Sequence, residues 1–440
     1  MFSPRYRRYV LGTLTAVYTI NYLDRGLMIL LLQPIQDDLH ISDTQLGLVT
    51  GIAFALFYAT LGIPIARWAD RGDRGTITAV AIGLWGVTMT SCLFVRSFFG
   101  LVLARIAAAV GEAGCMPPTY SLLGDYFPAP AERTRAMAIY WLASPIALLI
   151  SLAAGGWLNE SFGWRKTFFI TGIPALLVAA LVKLTVREPR TAKDPLAHMS
   201  RTLPQMSSVV HALWHQPSSR NLVFGIILFW TMGLGLGPWY ATFMVRSHGM
   251  STSELGLWLG LIFGAGGIGG NLLGAYIAER IFVDDERGKM RFSAISIALI
   301  VPCFTLFLTL PNRYQALVAL IPVIALFCVF LGPTFALMQR LVPNELRATT
   351  LSIVMLLANL LGMGAGPLGV GALSDWTAPF LGSDSLRYSM FAVSLVALWS
   401  AYFFWKVGET VNQDLQSVGG AAVSGRETLC EREAGEHPVV

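Results

Sequence analysis

About twelve runs of roughly 20 mostly apolar residues follow one another through the chain, near 10–33, 44–66, 76–95, 98–122, 134–156, 166–186, 220–244, 254–280, 291–310, 314–338, 347–372 and 387–406. A helix rising 1.5 Å per residue needs about that many residues to cross a hydrocarbon core of about 30 Å. Charged residues make up only 13% of the 440 and hydrophobic ones 55%, whereas charged residues are about a quarter of a soluble domain. The chain therefore reads as an all-α integral membrane protein.

The connections between runs alternate in charge. Arg67 to Arg74, Arg133 with Arg135, Arg187 to Arg201, Arg280 to Arg291, and Arg340 with Arg347 fall on one side, while the other carries Asp37, Asp38 and Asp43 in its first loop. The positive-inside rule then places the N-terminus, the long central connection and the C-terminus in the cytoplasm. Lys166, Arg246 and Arg313 lie on the opposite side and weaken this contrast without reversing it. Because the net charge of +5 is accounted for by topology, nucleic acid is not an expected partner. The short basic N-terminus leads into a run too long for a signal-peptide core, so the first helix is expected to stay in the protein. Cys92, Cys115, Cys303 and Cys328 lie inside apolar runs and Cys430 in the tail, with no close pairing of zinc type. Neither a disulfide framework nor a metal site is expected.

The longest connection, 188–219, is rich in Pro, Ser and His and divides the spans into six over 1–187 and six over 220–407. Within it, Met206 to Trp214 has the pattern of a short amphipathic surface helix. After Lys406 the chain turns polar, and 408–440 reads as a disordered tail. The halves also echo one another. Phe127-Pro128 followed by Arg133-Thr134-Arg135-Ala136 has a counterpart in Val342-Pro343 followed by Arg347-Ala348. Farther on, Ser144-Pro145 with Gly155-Gly156 is answered by Gly366-Pro367 with Gly369 and Gly371. Similar elements in the same order point to a repeat-built membrane protein.

Ionisable residues inside the spans are the chemical signal. Asp24 and Arg25 interrupt the first run, and Arg105 and Glu112 the fourth. Such groups are costly at membrane depth and normally face a bundle interior or a watery cavity. Arg105 and Glu112, seven residues apart, share one helix face about 10 Å apart along the axis. Counting rise from the cytoplasmic ends puts Asp24 at about 21 Å, Arg105 at about 27 Å and Glu112 at about 16 Å. If spans one and four are neighbours, Asp24 can exchange between Arg105 and Arg25, with Glu112 one or two turns away. That is the layout of a proton switch. With all four groups ionised the cluster is neutral, and protonating either carboxylate leaves one positive charge facing the cavity, which favours an anionic substrate. Desolvation raises a carboxylate's pKa and a nearby arginine lowers it, so breaking a pair promotes protonation. Static pairs joining helices are the competing reading, and buried ion pairs stabilise poorly compared with apolar packing.

Asn21, Tyr22, Tyr58, Trp230, Trp239 and Phe335 are the candidate substrate contacts, although Trp and Tyr in such runs more often pack or form interfacial belts. Gly266, Gly270 and Gly274 recur every four residues and read as a close-packing stripe. No histidine falls in the middle of a span, which argues against a histidine proton relay. The chain contains no Gly-x-x-x-x-Gly-Lys-Ser/Thr, so gradients are the expected energy source. The converging Ser/His or His/Asp set that a membrane enzyme needs is missing as well. The chain is expected not to be an enzyme and to need no cofactor.

The loop Ala66-Arg67-Trp68-Ala69-Asp70-Arg71-Gly72-Asp73-Arg74 resembles the signature loop of the major facilitator superfamily, Gly-x-x-x-Asp-Arg-x-Gly-Arg, with Ala66 and Asp73 standing where that pattern has glycine. Within that superfamily, Asn21-Tyr22-Leu23-Asp24-Arg25, then Arg105 to Gly111-Glu112-Ala113-Gly114 with Pro117, then Asp125-Tyr126-Phe127-Pro128 are similar to the spinster family. The resemblance implies the major facilitator fold: 12 transmembrane helices in two pseudo-symmetric six-helix bundles, spans one, four, seven and ten lining a cavity, and alternating access by rocking. It also implies a cytoplasmic latch, with Asp70 near the start of span eleven and Arg71, Arg74, Arg133 or Arg135 in its charge network. Spinster-like proteins are linked to sphingosine phosphate or lysophospholipid export, and bacterial relatives look proton-coupled. The expected function is proton-coupled secondary transport of an amphipathic or anionic solute, a lysolipid or sphingolipid-like one included. Drug/proton antiport and organic-acid or sugar transport by the same fold stay open. The expected partners are a small-molecule or lipid substrate, protons and the bilayer. The expected setting is a bacterial inner membrane, with the chain acting as a monomer.

Overall fold

The computed structural model describes residues 2–189, 213–342 and 346–435, with the side chains at 63, 66, 70, 130, 347–348 and 418–435 outside that description. The described residues are helices and their connections, without a strand. The first helix, α1 (Pro4–Leu39), starts where Ser3 accepts the Tyr6 N–H and ends at His40, whose left-handed φ of 50° turns the chain. It is followed by α2 (Asp43–Thr50), α3 (Ile52–Arg71), α4 (Arg74–Ser91), α5 (Phe98–Ala113), α6 (Met116–Tyr126), α7 (Pro130–Trp141), α8 (Ala143–Phe162) and α9 (Trp164–Thr185). The second half of the chain contains α10 (Pro217–Leu236), α11 (Trp239–His248), α12 (Thr252–Arg280), α13 (Glu286–Thr309), α14 (Arg313–Val329), α15 (Leu331–Arg340), α16 (Arg347–Asn359), α17 (Gly366–Leu381), α18 (Ser385–Ser394) and α19 (Val396–Gly435).

Among the described residues, 10 helical stretches are long and apolar enough to cross a membrane. The 36-residue α1 is not one of them, because Asn21, Asp24 and Arg25 lower its hydropathy. The last of the ten, Thr349–Ser417, has 69 residues and would be about 100 Å long if straight. It is broken by a π-helical turn at Leu360–Ala365 and again at Gly382, whose φ of +55° is open to glycine at little cost.

Small residues bring the helices together. A Cβ at Gly172 of α9 would lie 2.9 Å from the Gly86 carbonyl of α4, and one at Gly266 of α12 would lie 3.1 Å from Ile324 of α14. Gly270 and Gly274 continue that contact onto the Ala325 and Val329 backbone, so the stripe read from the sequence is a helix-packing face. Contacts between the two halves of the chain gather at the end that carries residues 40–43. There Asn159 donates to the Thr252 hydroxyl at 3.0 Å, and the Ser253 N–H donates to Glu160 at 3.0 Å. Gly256 faces the Leu152 carbonyl at the same end.

The last helix, α19, runs past 408 as far as Gly435. Its 408–417 portion has a reason to be ordered: Asp414 accepts the Ser218 N–H at 2.8 Å, and Thr410 shares a 2.6 Å hydrogen bond with the Ser218 hydroxyl. Most of the Met206 to Trp214 segment, and Pro343 in the internal echo, lie outside the described residues.

Candidate functional site

The adjacent residues Asp24 and Arg25 leave α1 about 100° apart and meet α5 at two levels. Arg105 Nη1 donates to Asp24 Oδ2, and Arg25 donates to Glu112 Oε1 through Nη2 at 2.6 Å and Nε at 3.0 Å. Asp24 is 0% exposed, Glu112 1% and Arg105 6%, so both carboxylates are removed from bulk water. Arg105 also lies over the Phe54 ring at 4.8 Å and donates through Nε to the Val49 carbonyl at 3.4 Å. Arg25 lies 4.7 Å from the Tyr22 ring centroid and 5.9 Å from that of Tyr58. These ring faces attract the guanidinium groups and help hold them where apolar neighbours would otherwise penalise the charge.

Each carboxylate engages only one of its two oxygens. Asp24 Oδ1, Glu112 Oε2 and the nearby Asn21 Nδ2 are buried without a hydrogen-bond partner among the described residues. An unengaged oxygen on a carboxylate whose other oxygen faces an arginine is a place for a proton. It is also an unfavourable arrangement for a purely structural pair, which does best with every lone pair satisfied.

Beside this cluster is a cavity of about 250 Å³. Tyr22, Arg25, Phe54 and Arg105 form part of its wall from the first half, with Tyr240, Phe263, Ile324 and Phe327 facing them from the second. Of the substrate contacts expected from sequence, Tyr22 alone is on this wall. Asn21 is buried one residue earlier. Tyr58 stacks on Phe54 at 5.6 Å and donates to the Met116 sulfur at 3.7 Å. Trp230 stands edge-on behind Phe327 at 5.8 Å. Trp239 is 0% exposed, with its Nε1 donating to the Pro367 carbonyl at 3.3 Å, so it is a packing residue here. Phe335 is half-buried on α15 and away from the cavity wall. The wall residues that sequence reasoning missed are chiefly apolar, Thr50 and Tyr240 apart, and within a membrane span nothing local separates a cavity-facing Phe or Ile from a packed or lipid-facing one.

Of the residues assigned to the latch, Arg74 and Arg133 are engaged by groups that precede residue 189. Arg74 is 0% exposed and held within its own half by Glu188, by Asp125 at 2.7 Å and by the Ser121 hydroxyl at 2.8 Å. Asp73, in the place of a signature glycine, caps α4 by accepting the Gly75 and Thr76 N–H groups. Arg133 donates to the carbonyls of Phe127 at 3.2 Å and of Gly124 and Pro128 at 3.3 Å, while Arg71 and Arg135 are exposed. The Asp70 and Arg347 side chains, where the latch itself would close, lie outside the described residues.

A helical membrane protein with a central cavity, buried ionisable groups on the cavity wall and its halves joined at one end has the build of a membrane carrier. The sequence model for the Major Facilitator Superfamily matches residues 14–367. A protein described as an MFS-type efflux pump from Mycolicibacterium smegmatis is 33% identical over 94% of this chain and 95% of its own length. Protein spinster homolog 1 of Homo sapiens is 26% identical over 91% and 80%, respectively. The solved structure of a bacterial homologue of the human lysosomal transporter spinster, inward-facing and unoccupied, superposes with a TM-score of 0.82 at 29% identity, covering 94% of this chain and 99% of that one. The chain belongs to the major facilitator superfamily and is a spinster-like transporter of the multi-pass membrane type.

Proposed function

We propose that the protein is a proton-coupled secondary active transporter that moves an amphipathic or anionic small molecule by alternating access. The observation that carries this reading is the pair of half-satisfied carboxylates directly behind the two arginines of the cavity wall, Asp24 with Arg105 and Glu112 with Arg25. A proton on Asp24 cancels the charge that holds Arg105, and the freed guanidinium becomes a site for a substrate anion. When the carboxylate is ionised it competes with the substrate for the same arginine. Proton and substrate therefore exchange at one place, and this is the chemical requirement for coupling. Asn21, with a free amide donor beside Asp24, fits a role in holding the released form.

The rest of the wall argues about the substrate. Apart from the two arginines it is lined chiefly by Met28, Ile29, Phe54, Leu148, Phe263, Ile324 and Phe327, which suits an apolar body with one acidic head. A sugar would want several polar partners. A lysolipid or sphingolipid-like solute has that chemistry, and its longer apolar part would extend beyond a cavity of this volume. The same apolar wall, together with the relative described as an efflux pump, supports a second reading as a drug/proton antiporter.

In this reading α1, the break at Gly382 and the other spans make twelve crossings, arranged as six-helix bundles over 1–187 and 220–407 with both termini cytoplasmic. The contacts near 40–43 then close the extracytoplasmic side, and the state is inward-facing, as in the solved relative. The Asp70 loop acts on the cytoplasmic side with Arg71, Arg74, Arg133 and Arg135 near it. The chain works as a monomer in a bacterial inner membrane. The experiment is transport into liposomes under an imposed pH gradient, comparing a single-chain anionic amphiphile, a lipophilic cation and a neutral sugar. Gradient-dependent, saturable movement of the anionic amphiphile is expected; preference for the cation favours the second reading, and preference for the sugar contradicts the first.

A further inference from the structure

Arg246 stood out in the sequence as a cation on the side where the positive-inside rule expects few. The structure gives it a specific berth. It lies near the end of α11, in the second half of the chain, and reaches into the first. Nη1 donates to Asp43 Oδ2 at 2.9 Å and Nη2 to Asp43 Oδ1 at 2.5 Å, while Nε donates to Gln33 Oε1 at 2.6 Å and Nη2 also to Gln36 Oε1. A planar fork of five N–H donors suits this set and an ammonium does not. A second device lies alongside. Asp375, on α17 of the second half, accepts the N–H groups of Asp43 at 3.1 Å and Thr44 at 2.8 Å and the Thr44 hydroxyl at 2.5 Å. The start of α2 is thus capped by the opposite half of the molecule.

Helix α2 is short, only 8 residues, and it is packed against the half to which it does not belong. A Cβ at Gly47 would lie 2.5 Å from the Pro367 carbonyl, one at Gly371 would overlap the Asp43 carbonyl, and one at Gly51 would overlap the Gly364 carbonyl. Gly51 also separates α2 from α3, with φ −96° and ψ −103° interrupting the helix. At its inner end, α2 supplies Thr50 to the cavity wall and the Val49 carbonyl to Arg105.

We propose that α2 is the gate of the cavity at the 40–43 end: a flap hinged at Gly51 and pinned shut by Arg246 and Asp375, whose release also withdraws the Val49 carbonyl from Arg105. This rests on the transporter reading, which it extends by naming gate residues and a physical link to the charge cluster. The same eight residues meet Arg246 and Asp375 at one end and the partner of Asp24 at the other. Opening the gate therefore loosens Arg105, and Arg246 is a positioning residue for the coupling site.

Spin labels at Lys166→Cys and Gln315→Cys, exposed positions in opposite halves near this end, report the gate width by electron–electron double resonance in a background with the native cysteines replaced by alanine. Arg246→Ala is expected to move a large share of the distance distribution to longer values. Arg246→Lys, which keeps the charge without the fork, and Asp375→Asn are expected to move smaller shares, and pairing Asp43→Arg with Arg246→Asp to recover part of the short-distance population. Unchanged distributions in folded Arg246→Ala and Asp375→Asn overturn the proposal. If Arg246→Ala fails to fold, Asp375→Asn decides the matter alone. The readout needs neither substrate nor proton gradient, so it stands apart from a failure of proton coupling in transport assays.

Discussion

The two walls of the cavity differ in kind. The first half contributes Arg25 and Arg105, backed by Asp24 and Glu112, whereas the second half contributes Leu234, Tyr240, Phe263, Ile324, Phe327 and Met363 with no Asp, Glu, Lys, Arg or His among its wall residues. The two halves thus line the cavity differently: one brings charge to it and the other an apolar surface. The division explains why buried charge is tolerated here. Both wall arginines, Arg25 and Arg105, have a carboxylate on a neighbouring helix of the same half, so neither pair depends on contact between the halves.

The comparison is tested most severely on the charged wall. Arg105→Ala leaves Asp24 buried without its partner, and losing one member of a buried pair costs about 3–5 kcal/mol. A large fall in the thermal midpoint together with loss of transport is expected. Combining Asp24→Asn with Arg105→Gln removes both charges and should recover most of the stability while transport stays lost; recovery of pH-driven transport in that double variant would contradict the division of labour. On the apolar wall, Phe263→Ala should weaken the apparent substrate affinity by about 1–3 kcal/mol, roughly five- to 150-fold. Its pH dependence should match the unaltered protein, and a shifted pH profile would show that the second half shares in proton handling. The smallest effect is expected away from both walls: Asp70→Ala should favour opening at the terminal end by about 1 kcal/mol. Spin-label distances across that end measure it, and their constancy would remove Asp70 from gating.

Much of this arrangement was legible in the sequence for identifiable reasons. Span positions follow from hydropathy, and the intramembrane charges marked out Asp24, Arg25, Arg105 and Glu112, which α1 and α5 bring together in two pairs. In this state Arg25 is engaged by Glu112 and Arg105 by Asp24. Rotation about a helix axis is fixed by tertiary packing, which depth counting does not see. The partners of Arg74 were out of reach for another reason: Asp125 and Glu188 come from distant stretches of chain, and no local spacing links them. Two anomalies did contain information. Arg246 and Arg313, exceptions to the charge rule, are paired with Asp43 and Glu254, respectively, and misplaced cations facing acidic loops are a usable signal for inter-helix contacts. The apolar wall left no such trace.

The central claim is that Asp24 makes transport responsive to protons. Its most direct test is the movement of an anionic amphiphile in liposomes containing the unaltered protein or Asp24→Asn, with and without an imposed pH gradient. The account predicts that the gradient accelerates and concentrates transport in the unaltered protein, and that Asp24→Asn still binds substrate while losing gradient-driven accumulation. Equal dependence on the gradient in both proteins would contradict it.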